Sequence, residues 1–356
     1  MKVLAVNIWN KKTKDSAPRQ SAVDWWRIKS PYQELAKHTP IQVDFSNSFV
    51  TENTEEEWNK LKGYDVIVTS YMDNLKTYAW VKAMCTLHHV KHIMDLDDNI
   101  FEVDEMNPVY LRFSPGSEAS NNVIKILQDV DYVTVSTPYL KERLGKVRSK
   151  PIFIAPNQIS REVYKYDPRS VPEHKEIVIG YQGSSTHHRD VFNTGFIWAI
   201  RSLLKKHDNL KFAICGGILS DLEKYLPQER IIKIDGSPDF FEWTKIWQKL
   251  PYDIGVAPLQ QTSFNRGKSA IKYYEYALRM IPGVYTFHDP YYNSVHENRT
   301  GFLASDEMEW EAKLGWLITN ETLRKTMAQN AYMDVINNHS LDRNWKIWEN
   351  ILNEVQ

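Results

Sequence analysis

Residues 252–275 read Y-D-I-G-V-A-P-L-Q-Q-T-S-F-N-R-G-K-S-A-I-K-Y-Y-E, and this stretch indicates the fold. The apolar run Tyr252–Pro258 predicts a buried strand, and the residues from Asn265 onward predict a short loop that leads into a helix. Strand and helix signals alternate in this way along the whole chain, which is typical of parallel sheets covered by helices. We therefore expect the residues after this strand to lie at the carboxyl edge of a sheet, where ligands bind in such folds.

Three charged residues in this stretch have helical spacing. Lys268 and Lys272 are four residues apart, and Glu275 follows three residues later. Two ammonium groups near a helix N-terminus suit a diphosphate, because the free amides and the helix dipole are already positive there. A carboxylate one turn further can accept hydrogen bonds from the vicinal hydroxyls of a ribose. The spacing predicts a nucleotide-diphosphate site, or else an amphipathic helix with solvated lysines.

The bulk properties are those of an ordinary globular protein. The chain has 356 residues with 42% hydrophobic and 25% charged side chains, and its net charge of −1 argues against a general polyanion binder. No apolar run approaches the about 18 residues of a membrane span, and no signal peptide is evident, so we expect a cytoplasmic protein without a transmembrane segment. Cys85 and Cys215 are expected to be buried, reduced thiols.

The βα pattern is interrupted once. Residues 1–160 predict one domain, residues 160–176 are rich in charge and proline and predict a linker, and residues 176–340 predict a second domain. The fold class expected is α/β, with two Rossmann-like doubly wound domains that face a central cleft. Either a monomer or a homodimer fits this organisation.

The loop G-Y-Q-G-S-S-T-H-H-R-D, residues 180–190, follows the first strand of the second domain. Its small residues Gly183, Ser184 and Ser185 would let backbone amides approach a phosphate, and Arg189 would add a fork of donors. A plain turn is the alternative.

The segment D-L-D-D-N-I-F, residues 95–101, ends a strand of the first domain. Its carboxylates could bind Mg²⁺ or Mn²⁺, but we favour Asp97 and Asp98 as hydrogen-bond acceptors for hydroxyl groups, and a structural role is also open. No metal site is predicted.

Residues 1–40 carry eight Lys or Arg against three acids, and they include Trp25, Trp26 and Arg27. Aromatic rings among cations could bind an acceptor such as a glycan, a lipid-linked sugar or a DNA base, although core packing would explain the tryptophans equally well.

An ordered set of motifs spans nearly the whole chain: M-D-L-D-D-N-I-F, V-T-V-S-T-P-Y-L, A-P-N, I-G-Y-Q-G-S-S-T-H-H-R-D, D-I-G-V-A-P-L, F-N-R-G-K-S-A-I-K-Y-Y-E-Y-A-L, I-P-G-V-Y, N-R-T-G-F-L-A and E-W-E-A-K-L. Together these motifs resemble the GT-B retaining glycosyltransferases of the glycogen-synthase and phosphatidylinositol-mannosyltransferase-like superfamily, in particular a bacterial and phage branch.

The resemblance implies roles for individual residues. Glu275 would bind the ribose of a nucleotide-sugar, and the loop Gly183–Ser185 with Lys268 and Lys272 would hold the diphosphate. The predicted donor-sugar residues are Asn265 and Arg266, and the predicted catalytic residues are Lys268, Lys272, Arg189 and Asp97. The superfamily usually has a further glutamate eight residues before Glu275, where this chain has Gly267.

The activity implied is metal-independent transfer of a sugar, with retention of configuration, from a UDP- or GDP-linked donor to a hydroxyl acceptor. We expect a glycan or other surface polymer as acceptor. The alternatives are a hydroxylated or hydroxymethylated DNA base as acceptor, a nucleotide-sugar epimerase, and a non-catalytic nucleotide-sugar binder. The resemblance also implies that the chain from about Leu341, with Trp345, Trp348 and Ile351, crosses back to the first domain.

Overall fold

The computed structural model describes residues 1–7, 20–46, 54–105, 107, 109–167, 171, 174–183, 188–217, 222 and 224–356. The chain forms two compact units, Met1–Ser160 together with Leu341–Gln356, and Arg161–Ser340. Each unit contains one six-stranded parallel sheet within the described residues. The predicted α/β class with two Rossmann-like domains is confirmed.

The N-terminal unit has the strand order β2-β1-β3-β4-β5-β6. Its strands are β1 (Lys2–Val6), β2 (Gln42–Ser46), β3 (Val66–Ser70), β4 (Lys91–Leu96), β5 (Tyr132–Val135) and β6 (Ile152–Ile154). Its helical segments are Ala22–Asp24, the π-helical turn Trp25–Lys29, Ser30–His38, Glu55–Trp58, Leu75–His88, Tyr110–Phe113, Glu118–Asp129, Pro138–Gly145, Leu341–Asn344 and Lys346–Glu354.

The last helix, Lys346–Glu354, belongs to the core of the N-terminal unit. Its side chains Trp348, Ile351 and Leu352 are buried in one cluster with Val3 and Ala5 of β1. The apolar side chains of this helix therefore pack in the same core as the first strand of the chain. The predicted return of the C-terminal segment to the first domain is confirmed.

The C-terminal unit has the strand order β12-β11-β10-β7-β8-β9. Its strands are β7 (Ile177–Gln182), β8 (Leu210–Cys215), β9 (Ile231–Ile234), β10 (Ile254–Ala257), β11 (Gly283–Thr286) and β12 (Phe302–Ala304). Its helical segments are His188–Asn193, Phe196–Lys206, the 3₁₀ turn Gln228–Arg230, Phe240–Gln248, Ser263–Arg266, Ile271–Leu278, Glu307–Thr319 and Glu321–Asn338.

Tyrosine rings cover the centre of this second sheet, where two strands carry glycine. Gly180 of β7 and Gly255 of β10 are partners in the sheet register. An added methyl group would lie 2.0 Å from the Tyr252 ring at Gly180 and 2.5 Å from the Tyr276 ring at Gly255. The absence of a side chain at Gly255 therefore lets the helix that carries Tyr276 and Glu275 pack closely on the sheet, and the absence at Gly180 leaves room for the Tyr252 ring.

Replacing Gly180 by alanine should destabilise the protein by about 1–3 kcal/mol, because the methyl group overlaps a ring in a packed interior. Gly315 is the matched control in the same unit. It lies within the helix Glu307–Thr319, and an added methyl group there would meet nothing within 4 Å. Gly315→Ala should stabilise the protein by roughly 0.5–1 kcal/mol through helix propensity. Urea denaturation followed by circular dichroism compares the two, and effects of the same sign and size would contradict the packing argument.

Candidate nucleotide-binding site

Glu275 is a buried acid held by three separate segments of the C-terminal unit. It lies in the helix Ile271–Leu278, and only 5% of the residue is exposed. Its Oε1 accepts hydrogen bonds from the Tyr164 hydroxyl at 2.8 Å and from the Trp243 indole N–H at 3.1 Å. Its Oε2 accepts a hydrogen bond from the side-chain amide of Gln182. One carboxylate is thus fixed by residues that are distant in sequence.

Burial and hydrogen bonding act in opposite directions on the pKa of Glu275. Burial is the larger effect and raises the pKa above its ordinary value, because the ionised carboxylate loses its hydration. The hydrogen bonds from Tyr164, Trp243 and Gln182 and the charge of Lys272 lower the pKa and offset part of that rise. The three donors therefore favour the acceptor form of the carboxylate, which is the form that hydroxyl groups recognise.

Lys272 lies one turn before Glu275 on the same helix and is half-buried. Burial, together with the charge of Lys268, lowers the pKa of its ammonium to about 8. The charges of Asp190 and Glu275 raise this pKa, but by less than burial and Lys268 lower it. A partly desolvated cation beside a second cation favours the binding of an anion.

The structure corrects the predicted start of this helix. Lys268 precedes the helix, which begins at Ile271. The Lys268 ammonium lies 4.5 Å from the centre of the Phe264 ring. Ala270 is the N-cap residue and gives no side-chain hydrogen bond to the first turn of the helix. The two lysines are thus close enough for their charges to interact. Lys268 is brought near Lys272 by the loop before the helix and not by helical spacing.

Asn265 is buried and holds this loop together. Its side-chain amide donates to Asp190 Oδ1 at 2.9 Å and to the Gln260 carbonyl at 2.9 Å. The same Asp190 oxygen accepts from the Gln260 backbone N–H at 2.8 Å. Sequence reasoning selected the neighbouring Arg189, which is exposed, and missed the buried Asp190. Both N–H groups of the Asn265 amide are therefore engaged within the protein.

Arg266, at the end of the helix Ser263–Arg266, lies near His288 and Asp289, two residues after β11 that the sequence analysis missed. The Arg266 Nε is 3.8 Å from Asp289 Oδ2, and 49% of the arginine side chain is exposed. His288 is buried, and burial lowers its pKa below the ordinary value. Its Nε2 has no hydrogen-bond partner among the residues that the structure describes. These residues form a polar group near the loop that holds Asn265.

Gly183 directly follows β7, where two backbone segments approach each other closely. Its N–H donates to the Cys215 carbonyl at 3.0 Å. Gly216 has a φ of +105°, and a methyl group added to it would lie 2.2 Å from the Gly183 carbonyl oxygen. Glycine at position 216 therefore allows the β7 and β8 ends to meet. Ser184 and Ser185 lie outside the described residues.

In the N-terminal unit, three of the acceptor candidates are buried side chains. Trp25, Trp26 and Arg27 are only 8%, 4% and 2% exposed. The Arg27 guanidinium donates to both carboxylate oxygens of Asp95, at 2.9 and 2.7 Å. Thr134 donates to the same carboxylate at 2.6 Å. These side chains are part of the core, so they present no open surface to an acceptor in this structure.

Asp97 and Asp98 follow β4 and are half-buried. The backbone carbonyl of Asp97 accepts from the Ser136 hydroxyl at 3.1 Å. Burial, followed by the charges of Asp97 and Asp98, raises the pKa of Tyr71. Because both aspartates directly follow β4, they lie at the carboxyl end of the first sheet. In the described ranges, no group of three or more His, Cys, Asp or Glu residues could hold a metal ion.

Two further expectations concern the thiols and the membrane. Cys85 and Cys215 are buried free thiols, as predicted. No helix in the part of the chain that is described has the length and apolar character needed to cross a bilayer.

Comparison with known proteins identifies the fold. No protein-family model matches the chain, and no curated protein matches its sequence. Among solved structures, sucrose-phosphate synthase from Thermosynechococcus elongatus has a TM-score of 0.69 at 12% identity, with 99% of this chain and 98% of that chain covered. HepE from Anabaena, solved with UDP-glucose, has a TM-score of 0.66 at 11% identity, with 99% and 100% covered.

TarM from S. aureus, solved in complex with fondaparinux, α-GlcNAc-glycerol and UDP, has a TM-score of 0.59 at 14% identity, with 81% of this chain covered. This chain spans about half the length of TarM, since 55% of that chain is matched. At these identities the similarity establishes the architecture. The chain has the GT-B glycosyltransferase fold, as its motifs indicated.

The pKa of Lys272 predicts a pH dependence of diphosphate binding. An anionic ligand favours the ammonium form, so the affinity for UDP should be constant below the pKa of about 8 and should fall as the pH rises above it. The fall approaches about tenfold per pH unit. Isothermal titration between pH 7 and pH 9 measures it. Lys272→Arg is the control, because a guanidinium stays charged and should flatten the profile. An unchanged slope in this variant would exclude Lys272 as the titrating group.

Proposed function

We propose that this protein is a glycosyltransferase that moves a sugar from a nucleoside diphosphate donor to a hydroxyl acceptor. The proposed donor is UDP-linked, with a GDP-linked sugar as the second candidate. Two of the structurally similar proteins support this order, because HepE was solved with UDP-glucose and TarM with UDP.

A single observation supports the proposal most strongly. Lys272, a half-buried cation whose pKa is lowered by burial and by the charge of Lys268, lies one helical turn from the buried acceptor Glu275. A diphosphate requires cations, and an adjacent ribose requires an acceptor for its hydroxyls. A solvated surface helix would not bury its acid under three donors. The arrangement therefore favours the nucleotide site over the alternative of a solvated amphipathic helix.

The proposed reaction retains the configuration of the transferred sugar. The bond between the sugar carbon and the diphosphate oxygen breaks, and the acceptor oxygen bonds to the same face of that carbon. The acceptor proton passes to the departing diphosphate. Negative charge grows on the diphosphate during this step, so Lys268, Lys272 and Arg189 are proposed to stabilise the transition state more than the ground state. No metal ion is needed for this charge stabilisation.

The proposed acceptor is a glycan or other surface polymer, and a lipid-linked sugar has the same hydroxyl chemistry. Asp97 and Asp98 remain the candidates for hydrogen bonds to acceptor hydroxyls. A hydroxylated or hydroxymethylated DNA base is a weaker candidate, since the burial of Trp25 and Trp26 removes the rings that would have stacked on a base. A steep loss of acceptor affinity with added salt would favour a polyanionic acceptor.

Incubation with a panel of UDP- and GDP-sugars without acceptor tests the proposed class. Slow release of UDP or GDP is expected, in the presence of excess EDTA as well as without it. Interconversion of two nucleotide-sugars would identify an epimerase instead. Binding without any turnover, even with glycan acceptors added, would identify a non-catalytic binder.

Lys272→Ala should lower kcat for transfer by about a hundredfold, because one cation that faces the leaving group is lost. Lys325→Ala is the matched control, since Lys325 is an exposed lysine of the same unit that pairs with Glu321. This control should leave kcat unchanged. Equal rates for Lys272→Ala and the wild type would contradict a role of Lys272 in catalysis.

A further inference from the structure

The side-chain amide of Gln182 donates a hydrogen bond through its nitrogen, whereas its oxygen has no hydrogen-bond partner among the described residues. Gln182 is the last residue of β7, and only 3% of it is exposed. Its Nε2 donates to Glu275 Oε2. Its Oε1 is buried and accepts no hydrogen bond from any residue that the structure describes. A buried acceptor without a donor is costly, so such an atom points to a missing ligand group.

The orientation of this amide follows from the chemistry of its neighbour. An ionised carboxylate can only accept, so the NH₂ group of Gln182 must be the half that faces Glu275. Rotating the amide by half a turn would place two acceptors against each other. The side-chain oxygen Oε1 of Gln182 therefore lies beside the Glu275 carboxylate, since it belongs to the same amide group as the Nε2 that donates to Glu275.

The free acceptor positions around Glu275 can be counted. Each carboxylate oxygen has two lone pairs. Oε1 already accepts from Tyr164 and Trp243, so both of its positions are used. Oε2 accepts only from Gln182, so one position remains within the described set of contacts. With respect to the described residues, the amide oxygen Gln182 Oε1 has both of its positions free. Glu275 Oε2 and Gln182 Oε1 thus form two adjacent acceptors, each able to accept at least one donor.

Two adjacent acceptors match two vicinal hydroxyl groups. We infer that Gln182 is a second ribose-binding residue, whose carbonyl oxygen accepts one of the two ribose hydroxyls while Glu275 Oε2 accepts the other. This inference rests on the proposed nucleotide-sugar site and adds to it a residue at the carboxyl end of β7. Gln182 has two functions here, because its amide also orients the carboxylate that receives the second hydroxyl.

The role of Gln182 predicts a specific pattern with nucleotide analogues. Isothermal titration would compare UDP, 2′-deoxy-UDP and 3′-deoxy-UDP on the wild type, Gln182→Met and Glu275→Gln, with the GDP series if only GDP binds. For the wild type, removal of either ribose hydroxyl from the nucleotide should weaken binding by about tenfold, as expected for the loss of one hydrogen bond to a buried acceptor. Gln182→Met should weaken UDP binding by a similar factor and abolish discrimination at one hydroxyl only.

Gln228→Met is the matched control, because Gln228 is an exposed glutamine of the same unit in the turn Gln228–Arg230. It should keep the wild-type affinities for all three nucleotides. Circular dichroism and the thermal midpoint establish that Gln182→Met is folded, and Gln182→Leu serves as the second variant if it is not.

Three results would overturn the inference. Unchanged discrimination at both hydroxyls in Gln182→Met would mean that the side chain touches neither of them. Loss of discrimination at both hydroxyls would mean that Gln182 acts only by orienting Glu275. Failure of the wild type to bind either UDP or GDP would overturn the proposed function itself and this inference with it.

Discussion

The candidate site depends on the burial of one carboxylate. Removing a carboxylate from water costs several kcal/mol, and partners must offset that cost. Tyr164, Gln182 and Trp243 do so for Glu275 by hydrogen bonding. They come from the start of the C-terminal unit, from the end of β7 and from the helix Phe240–Gln248. The site is therefore a property of the folded unit as a whole and not of one helix.

The helix Ile271–Leu278, which carries Glu275, packs closely on a sheet whose central strands contain glycine. Gly180 and Gly255 leave room for the Tyr252 and Tyr276 rings. A tyrosine side chain has few rotatable bonds, so burying a layer of tyrosine rings costs little conformational entropy. Glu275 lies beside Tyr276 in the same helix, so its position relative to the end of β7 is set by this packing. Packing of this kind preorganises a binding site before the ligand arrives.

Local features of the fold could be predicted from the sequence, and long-range contacts could not. The strand Leu210–Cys215 and the N-cap at Thr137, followed by Pro138, have signals within a few residues. The start of the helix at Ile271 has none, because Ala270 is not a capping residue and the spacing of the lysines continues through it. The contacts of Tyr164 and Gln182 with Glu275 join residues 111 and 93 positions apart, which no local pattern encodes. The burial of Trp25 and Trp26 was equally open, since an aromatic side chain suits a core and a ligand alike.

The segment from Lys268 to Glu275 is proposed to bind a nucleoside diphosphate, and the rest of the site depends on this. A thermal-shift series with uridine, UMP and UDP, and with guanosine, GMP and GDP, tests it most directly. For one of the two bases, the melting temperature should rise with each added phosphate, because Lys268 and Lys272 act on the diphosphate. Equal shifts for nucleoside and diphosphate, or no shift with any member of either series, would contradict the claim.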